Sequence, residues 1–503
     1  MLSKLSKFRK DAKYYIVVAI LISSSLLLFS VFYRIFRCEI PSLPVPPSEP
    51  IAPTSSPCDY IINRTVIFEN CTMVFNNSLF IEKGGALILR NTTLYFRAQG
   101  DDLCEIIVYA GGNLTIIDSW IAGYAYRRSY YIVVYKGAKF LMRNSTISYA
   151  GGEGVWIGTD NVIISGSKFQ FCNGLFIENA ENVTLYDNIF SDNEYGIQVF
   201  NVSSIMIFNN TINRTSHEGI VVAESENVLL ANNTINNYFS YGILLDDNVN
   251  VTLVDNSLLH CGLYITGFNS SSFDIFVHGN TVNNKPLLCL FNKSDLVIND
   301  KSIGQLIIIF SKNIRIVGAE ISDTTAGIIV SRSESIVIED CKVTYNYFEG
   351  IFLFRSSNIC LSGNDISMNR DGIFIERSEN VTIRGNVIRK NIGSGIEIQD
   401  SKKIGIANNT ISECYNGVFA RGSSTIMIVN NTVSNNHYAF YFQFCSGRVV
   451  EGNILINNTH NEIVSESEGL GILGSAFLIM VVSVSFATAS LLYLYTKSKE
   501  SLE

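Results

Sequence analysis

Residues 380–398 read NVTIRGNVIRKNIGSGIEI, and close variants of this line recur every 22 or 23 residues between about Gly85 and Gly452. NICLSGNDISMNRDGIFI begins at Asn358, NVLLANNTINNYFSYGILL at Asn227 and NVTLYDNIFSDNEYGIQV at Asn182. Each unit divides into three short apolar runs, in the first case VTI, NVI and GIEI, with Asn, Gly or Ser between them. Alternation with period two, broken every few residues, predicts strands and leaves no helical stripe. Three strands too short to form a sheet alone must bond to the units before and after, so the sequence predicts a parallel β-helix.

Two positions recur along the repeat, the first with Cys341 and Asp118 as variants. The seventh residue is Asn188, Asn210, Asn233, Asn256, Asn364, Asn386, Asn409 and Asn431, a predicted structural ladder in which Asn takes the left-handed backbone of a bend and its amide bonds neighbouring coils. A glycine precedes the third run: Gly174, Gly196, Gly219, Gly242, Gly327, Gly350, Gly372, Gly395 and Gly417. A bend that a side chain would obstruct explains it. About 14 coils at roughly 4.8 Å each would make a rod near 70 Å long, with Tyr60 to Gly84 as an irregular cap.

The ends of the chain differ from the middle. Tyr14 to Phe36 and Leu470 to Tyr495 each reach the roughly 20 apolar residues of a transmembrane helix. Lys4, Lys7, Arg9, Lys10 and Lys13 precede the first and Lys497 and Lys499 follow the second, which puts both termini in the cytoplasm and the middle outside the cell membrane. A cleaved signal peptide and a removable sorting tail are the alternatives, and both leave the middle outside. The expected order is therefore a basic tail 1–13, a helix 14–36, a Pro-rich spacer 37–57, the β-helix 58–468, a helix 470–495 and a tail 496–503. The terminal segments carry +6 and 0 of the net −8, leaving −14 on the outward part, and an acidic surface without a basic face excludes nucleic acid as the main partner.

Eleven cysteines are scattered. Cys58, Cys71 and Cys104 could staple the first coils in an oxidising exterior, whereas Cys172, Cys261 and Cys414 occupy equivalent positions in distant coils and read as packed single thiols. No C-x-x-C pair suggests zinc. Asn-x-Ser/Thr acceptors occur throughout the middle, in a density suited to a glycoprotein, although N-V-T and N-N-T are also what the repeat itself generates.

The repeat resembles the right-handed parallel β-helix proteins of the pectate-lyase-like superfamily, in the branch similar to NosD and its carbohydrate-binding and sugar-hydrolase relatives. NTVNNKPLLCLFNKSDLVINDKSIGQLIIIFSKNIRI, Asn280 to Ile316, looks like that branch's strand-pair insertion with an N-x-I-x-G-K-P core, placed here near 281–312, with Asn284 where glycine is usual. The resemblance implies a right-handed coil and a working face along one side. Enzymes of the superfamily place carboxylates, calcium and basic residues there. Their motifs G-H-G, D-P-H-D and R-x-P-x-x-R are absent.

The chemistry-bearing residues are otherwise sparse. His217 beside Glu218 sits in the turn before Gly219, and Asp246 and Asp247 end one third strand. Glu376, Glu397 and Asp400 lie on neighbouring rungs, about the 5 Å apart that a retaining glycosidase uses, with Arg355 and Arg377 nearby to neutralise them. Met206, Met368 and Met427 stand alone, so copper, the metal associated with NosD, is not expected, nor is another metal or a cofactor. The outward column of the third strand is different: Trp156, Phe176, Phe352, Phe374, Phe419 and Tyr441 form an apolar stripe where polar residues belong. Either it is a binding stripe for sugar rings or a protein surface, or other parts of the chain cover it. The expected function is a membrane-anchored surface β-helix without catalysis that binds a polysaccharide or surface protein. The alternatives are a carbohydrate-active enzyme using Glu376, Glu397 and Asp400, and an architectural envelope component.

Overall fold

The computed structural model describes residues 59–98, 103–124, 128–238, 240–267 and 275–465. Both expected membrane helices, both tails, the Pro-rich spacer and Cys58 lie outside the described residues. Among the described residues no helix is long and apolar enough to cross a membrane.

The described chain is a β-solenoid of about 18 turns, against the 14 counted from the sequence. Two weakly patterned segments account for part of the difference. Tyr60 to Gly84, expected as a cap, forms a coil of its own with strands Tyr60–Ile62, Thr65–Glu69 and Thr72–Phe75. At the other end, His460–Ser465 adds a further strand.

The turns fall into two stacks. In the first, sheet A runs through ten parallel strands from Tyr60–Ile62 to Leu263–Thr266, and sheet B through ten from Thr65–Glu69 to Ile275–His278. Sheet C runs from Thr72–Phe75 to Thr281–Val282. Thr281–Val282 then pairs antiparallel with the start of Lys285–Phe291, through Thr281 with Pro286 and Val282 with Lys285. That hairpin opens the second stack. Its sheet A′ runs from Lys285–Phe291 to His460–Ser465, B′ has eight strands from Ser294–Ile298 and C′ has seven from Glu320–Ser322. The segment near 281–312 thus supplies the strand pair and also the first strands of a new stack.

The Asn ladder is internal. Asn188, Asn210, Asn233, Asn256, Asn364, Asn386, Asn409 and Asn431 are all at most 1% exposed. Asn386 shows the pattern: its Oδ1 accepts from the backbone N–H (2.9 Å) and Nδ2 (2.9 Å) of Asn364, while its Nδ2 donates to Leu361 O (3.0 Å) and to Asn409 Oδ1 (2.9 Å). The left-handed conformation belongs to the residue before each ladder Asn, for example Asn209, Gly363, Gly385 and Asn408, rather than to the ladder residue. The recurrent glycine is demanded by contact between rungs: a Cβ at Gly196 would lie 2.0 Å from Gly219 O, and one at Gly372 2.5 Å from Gly395 O. The equivalent thiols are packed singly, with Cys172 Sγ against Gln170 O (3.3 Å) and Cys414 Sγ against Ser412 O (3.3 Å). Cys71 and Cys104 are free thiols as well.

Where the stacks meet, sheet A′ is apolar on both faces. Leu306, Ile308, Ile328 and Val330 point into the second core, while Ile307, Ile309, Ile329 and Phe352 join the core of the first. The outer face of A′ therefore closes the open end of the first stack. Leu263–Thr266, the last strand of sheet A, has no further strand to pair with, and Gln305 takes that place: its Oε1 accepts from Leu263 N–H (2.9 Å) and its Nε2 donates to Leu263 O (2.9 Å). Thr325 Oγ1 accepts from Gly262 N–H at 2.7 Å, and His260 Nδ1 meets Asp323 Oδ2 at 2.6 Å. Ring contacts complete the corner, Tyr241 on Phe348 at 4.9 Å and Tyr264 on Phe352 at 6.2 Å.

Two stability measurements follow. Asn386→Ala removes acceptors and donors that buried backbone groups depend on, and should cost about 2–5 kcal/mol, read as lost hydrogen-exchange protection in the coils of Asn364 and Asn409. Phe352→Ala should cost about 3–5 kcal/mol because it opens a buried corner, whereas Phe419→Ala, on the half-buried part of the same column, should cost well under half as much in parallel denaturant titrations.

Candidate functional site

The outward face of A′ changes character along the stack. Pairing on successive strands aligns Phe352, Phe374, Glu397, Phe419 and Tyr441 in one column. Phe352 is 8% exposed and buried in the corner, and Phe374 stacks on it at 5.2 Å. Phe419 and Tyr441 are half-buried, 5.3 Å apart, and clear of the corner. A second column stands just before the rung glycines: Glu349 pairs with Asp371, and Ser394 with Asn416, which pairs with Tyr438.

Between the covered and the aromatic parts lies a polar network. Asp371 Oδ1 accepts from Ser394 N–H at 2.6 Å. Ser394 Oγ lies 3.3 Å from Glu397 Oε2, and Gln399 Nε2 donates to Glu397 Oε1 at 2.7 Å. Asn416 Nδ2 donates to Ser394 Oγ at 3.2 Å. Two buried oxygens, Glu349 Oε2 and Asn416 Oδ1, have no hydrogen-bond partner among the described residues. Glu349, Asp371 and Glu397 share one close cation, Arg370, whose Nε is 4.0 Å from Asp371 Oδ2. Burial, reinforced by the charge of Asp371, raises Glu349 from its ordinary 4.5 to about 8. Burial first and Asp371 second also raise Glu397, and burial raises Asp371. Burial thus favours the protonated form of all three carboxyls, and a protonated carboxyl can donate a hydrogen bond as well as accept one.

Beyond this network the surface is aromatic. Tyr415 stacks on His437 at 4.9 Å, Tyr438 on His460 at 5.0 Å, and Tyr438 reaches Tyr441 at 5.5 Å. Gln443 Nε2 donates to the Tyr441 hydroxyl at 2.7 Å, fixing that ring.

The remaining sequence candidates lie elsewhere. Trp156 and Phe176 are on the first stack, half-buried, with Trp156 Nε1 donating to Glu178 Oε2 at 3.0 Å and Phe176 edge-on to Tyr195. Glu376 faces Arg377 at 3.6 Å and pairs in register with Gln399, so it belongs to the A′–B′ corner with Asp400 and not to the network around Glu397. Burial raises Glu376. His217 stacks on Tyr195 at 4.5 Å, and Asp246 Oδ1 accepts from Thr266 Oγ1 at 2.6 Å. Glu349, Asp371, Ser394, Asn416 and Tyr438 escape a count that starts at the rung glycine. Their signal is the residue immediately before it, in E-G, D-G, S-G and N-G, with Tyr438 before Ala439 in the glycine's place.

Comparison with known proteins agrees with this architecture. The family model described as right handed beta helix region matches residues 104–258, and the one described as periplasmic copper-binding protein (NosD) matches residues 289–470. The chain is a right-handed β-helix whose residues 289–470 are NosD-like. No curated protein matches it. Among solved structures it is similar to the Azotobacter vinelandii mannuronan C-5 epimerase AlgE6 A-module (15% identity, 75% of this chain and 91% of that one, TM-score 0.24) and to the periplasmic alginate epimerase AlgG (12%, 79% and 78%, 0.19). It is also similar to PfbA, a surface adhesin of Streptococcus pneumoniae (11%, 74% and 85%, 0.25). Likeness at these identities concerns the coil and carries no argument about activity. The copper of the family description does not fit the residues present: Met206 and Met427 are isolated on the surface, and the Cys172, Cys261 and Cys414 thiols are buried in separate coils.

The buried carboxyls set a pH dependence. With Glu349 at about 8 in the folded chain and 4.5 ordinarily, the folded state holds the extra proton between those values. Its contribution to stability is thus fullest below about pH 4.5 and is lost as pH rises towards 8. Glu349→Gln should flatten that part of the profile, measured as unfolding midpoint against pH. An unchanged slope would remove Glu349 as its source.

Proposed function

We propose that this NosD-like chain is a cell-surface β-helix protein, anchored by its apolar ends with the coils outside, and that it binds a glycan on the distal outer face of A′. The observation that carries the reading is the adjacency of half-buried rings, Phe419, Tyr438 and Tyr441, to the Ser394–Glu397–Asn416 network with its unpartnered Asn416 oxygen. Flat apolar rings stack on the C–H faces of sugars, and the neighbouring donors and acceptors fix the hydroxyls. A glycan rather than a flat protein surface suits a face where hydrogen-bonding groups interrupt the rings at single-rung spacing. Phe352 has no part in this binding, since it is buried in the corner.

A glycan array probed with the full chain in detergent tests the proposal. A Phe419→Ser, Tyr438→Ser double variant should lose at least about tenfold in affinity for whatever glycan the parent retains. Equal binding by both proteins would discard the face.

One observation favours a second reading, carbohydrate-active chemistry. Glu397 is 7% exposed and is raised to about 7 by burial first and by neighbouring Asp371 second, the direction a general acid needs. If the chain cleaves its glycan, Glu397→Gln should abolish the appearance of new chain ends, a loss far larger than its effect on affinity. A parent protein that releases no products from a glycan it binds would exclude this reading.

A further inference from the structure

In 17 of the coils the corner between the second and third strands (B to C, or B′ to C′) contains one residue with a positive φ. That conformation is served by Asn, Asp or Gly alike, and all three are used. It is Asn at 70, 91, 144, 209, 232, 408 and 430, Asp at four corners and Gly at six. The residue two positions later opens the next strand. Yet after Asn it is threonine every time, at Thr72, Thr93, Thr146, Thr211, Thr234, Thr410 and Thr432. After Asp or Gly a hydroxyl residue follows at two of ten corners, Ser257 and Thr281, and the others carry residues as different as Trp120, Lys168, Asp365 and Val387. Strand propensity for threonine would act equally at all of these corners, so backbone geometry explains the turn but not the coupling between the two positions. The coupled pair is the Asn-x-Thr acceptor, without proline between.

All seven asparagines are exposed, and the ladder residue that follows four of them, as in Asn209–Asn210, is buried and out of reach. We infer that these corner asparagines are N-glycosylated. In the transfer, the Nδ2 of the asparagine attacks the anomeric carbon of a lipid-phosphate-linked oligosaccharide presented by an oligosaccharyltransferase. The C1–N bond forms, the C1–O bond to phosphate breaks with its electron pair leaving on the lipid phosphate, and the amide gives up one proton to solvent. The remaining N–H is enough to keep a bond between rungs, such as that from Asn91 Nδ2 to Asn70 Oδ1 at 2.7 Å. In a three-sided coil this corner lies opposite sheets A and A′, so a sugar coat here leaves the outer face of A′ bare. The inference does not depend on what that face binds.

Asn70 and Asn91, Asn209 and Asn232, and Asn408 and Asn430 sit on adjacent rungs about 4.8 Å apart, close enough that one glycan hinders the next. The test is glycopeptide mass spectrometry of the full chain expressed in a cell that N-glycosylates its exported proteins. Asn144 and at least one member of each pair should carry a glycan. Thr146→Ala should return the Asn144 peptide to its bare mass, and Thr146→Ser, which keeps the hydroxyl and the fold, should retain the modification. Recovery of all seven peptides bare, from cells whose other exported glycoproteins are modified, overturns the inference. So does a glycan at Asn144 that survives Thr146→Ala.

Discussion

A coil of three short strands cannot satisfy its own backbone. Every N–H and C=O in it must find a partner in the coil before or after, and nearly every strand pairing in this structure is of that parallel kind. The main recurrent positions answer to that constraint. The ladder Asn bonds backbone groups at the bend where strand pairing lapses, as Asn386 does for Asn364 N–H and Leu361 O. The glycine lets the next rung approach to the distance that the pairing needs.

The same constraint makes the end of a stack its weak point, because the last coil exposes a sheet edge and an open core together. Here the chain turns a corner and covers both. Gln305 meets the edge of Leu263–Thr266 as a strand would, and Ile307, Ile329 and Phe352 fill the core beneath it. Covering one stack with the flank of another requires a sheet that is apolar on both faces, and QLIIIF at Gln305–Phe310 is such a run.

That run marks the limit of what the sequence makes legible. The repeat, its three strands, the ladder and the glycines can all be read from spacing, since each coil meets the same requirement as its neighbour. A junction occurs once and has no period to betray it. In a pattern built on alternation, the unbroken apolar run LIIIF at Leu306–Phe310 is its local sign. The aromatic column shows the consequence: Phe352 and Phe419 hold equivalent positions and are indistinguishable in the repeat, yet one is buried by a distant coil and the other is not. Glu397 is a candidate in the sequence, but its grouping with Asp371 and Glu349 is hidden for a different reason. Asp371 and Glu397 come together through side chains on adjacent rungs and meet Arg370 at a turn, a geometry that depends on the path of the turn and not on the count of residues.

Three carboxyls with one close cation are a poor way to stabilise a fold, since each is raised by burial and each would gain by ionising in water. The fold does not require a carboxyl at Glu397, for the equivalent column of the first stack manages with Phe176, Gln198, Val221 and Leu244. Nor does the corner require Glu397, which pairs with Phe419 on the side away from Phe352. Their position is better explained by the surface they border: burial shifts each carboxyl towards its protonated form, and the rings of Phe419, Tyr438 and Tyr441 lie one or two rungs beyond Glu397. A face that recognises a neutral, hydroxyl-rich ligand gains from protonated carboxyls, which can both donate and accept, in a way that a face built only for stability would not.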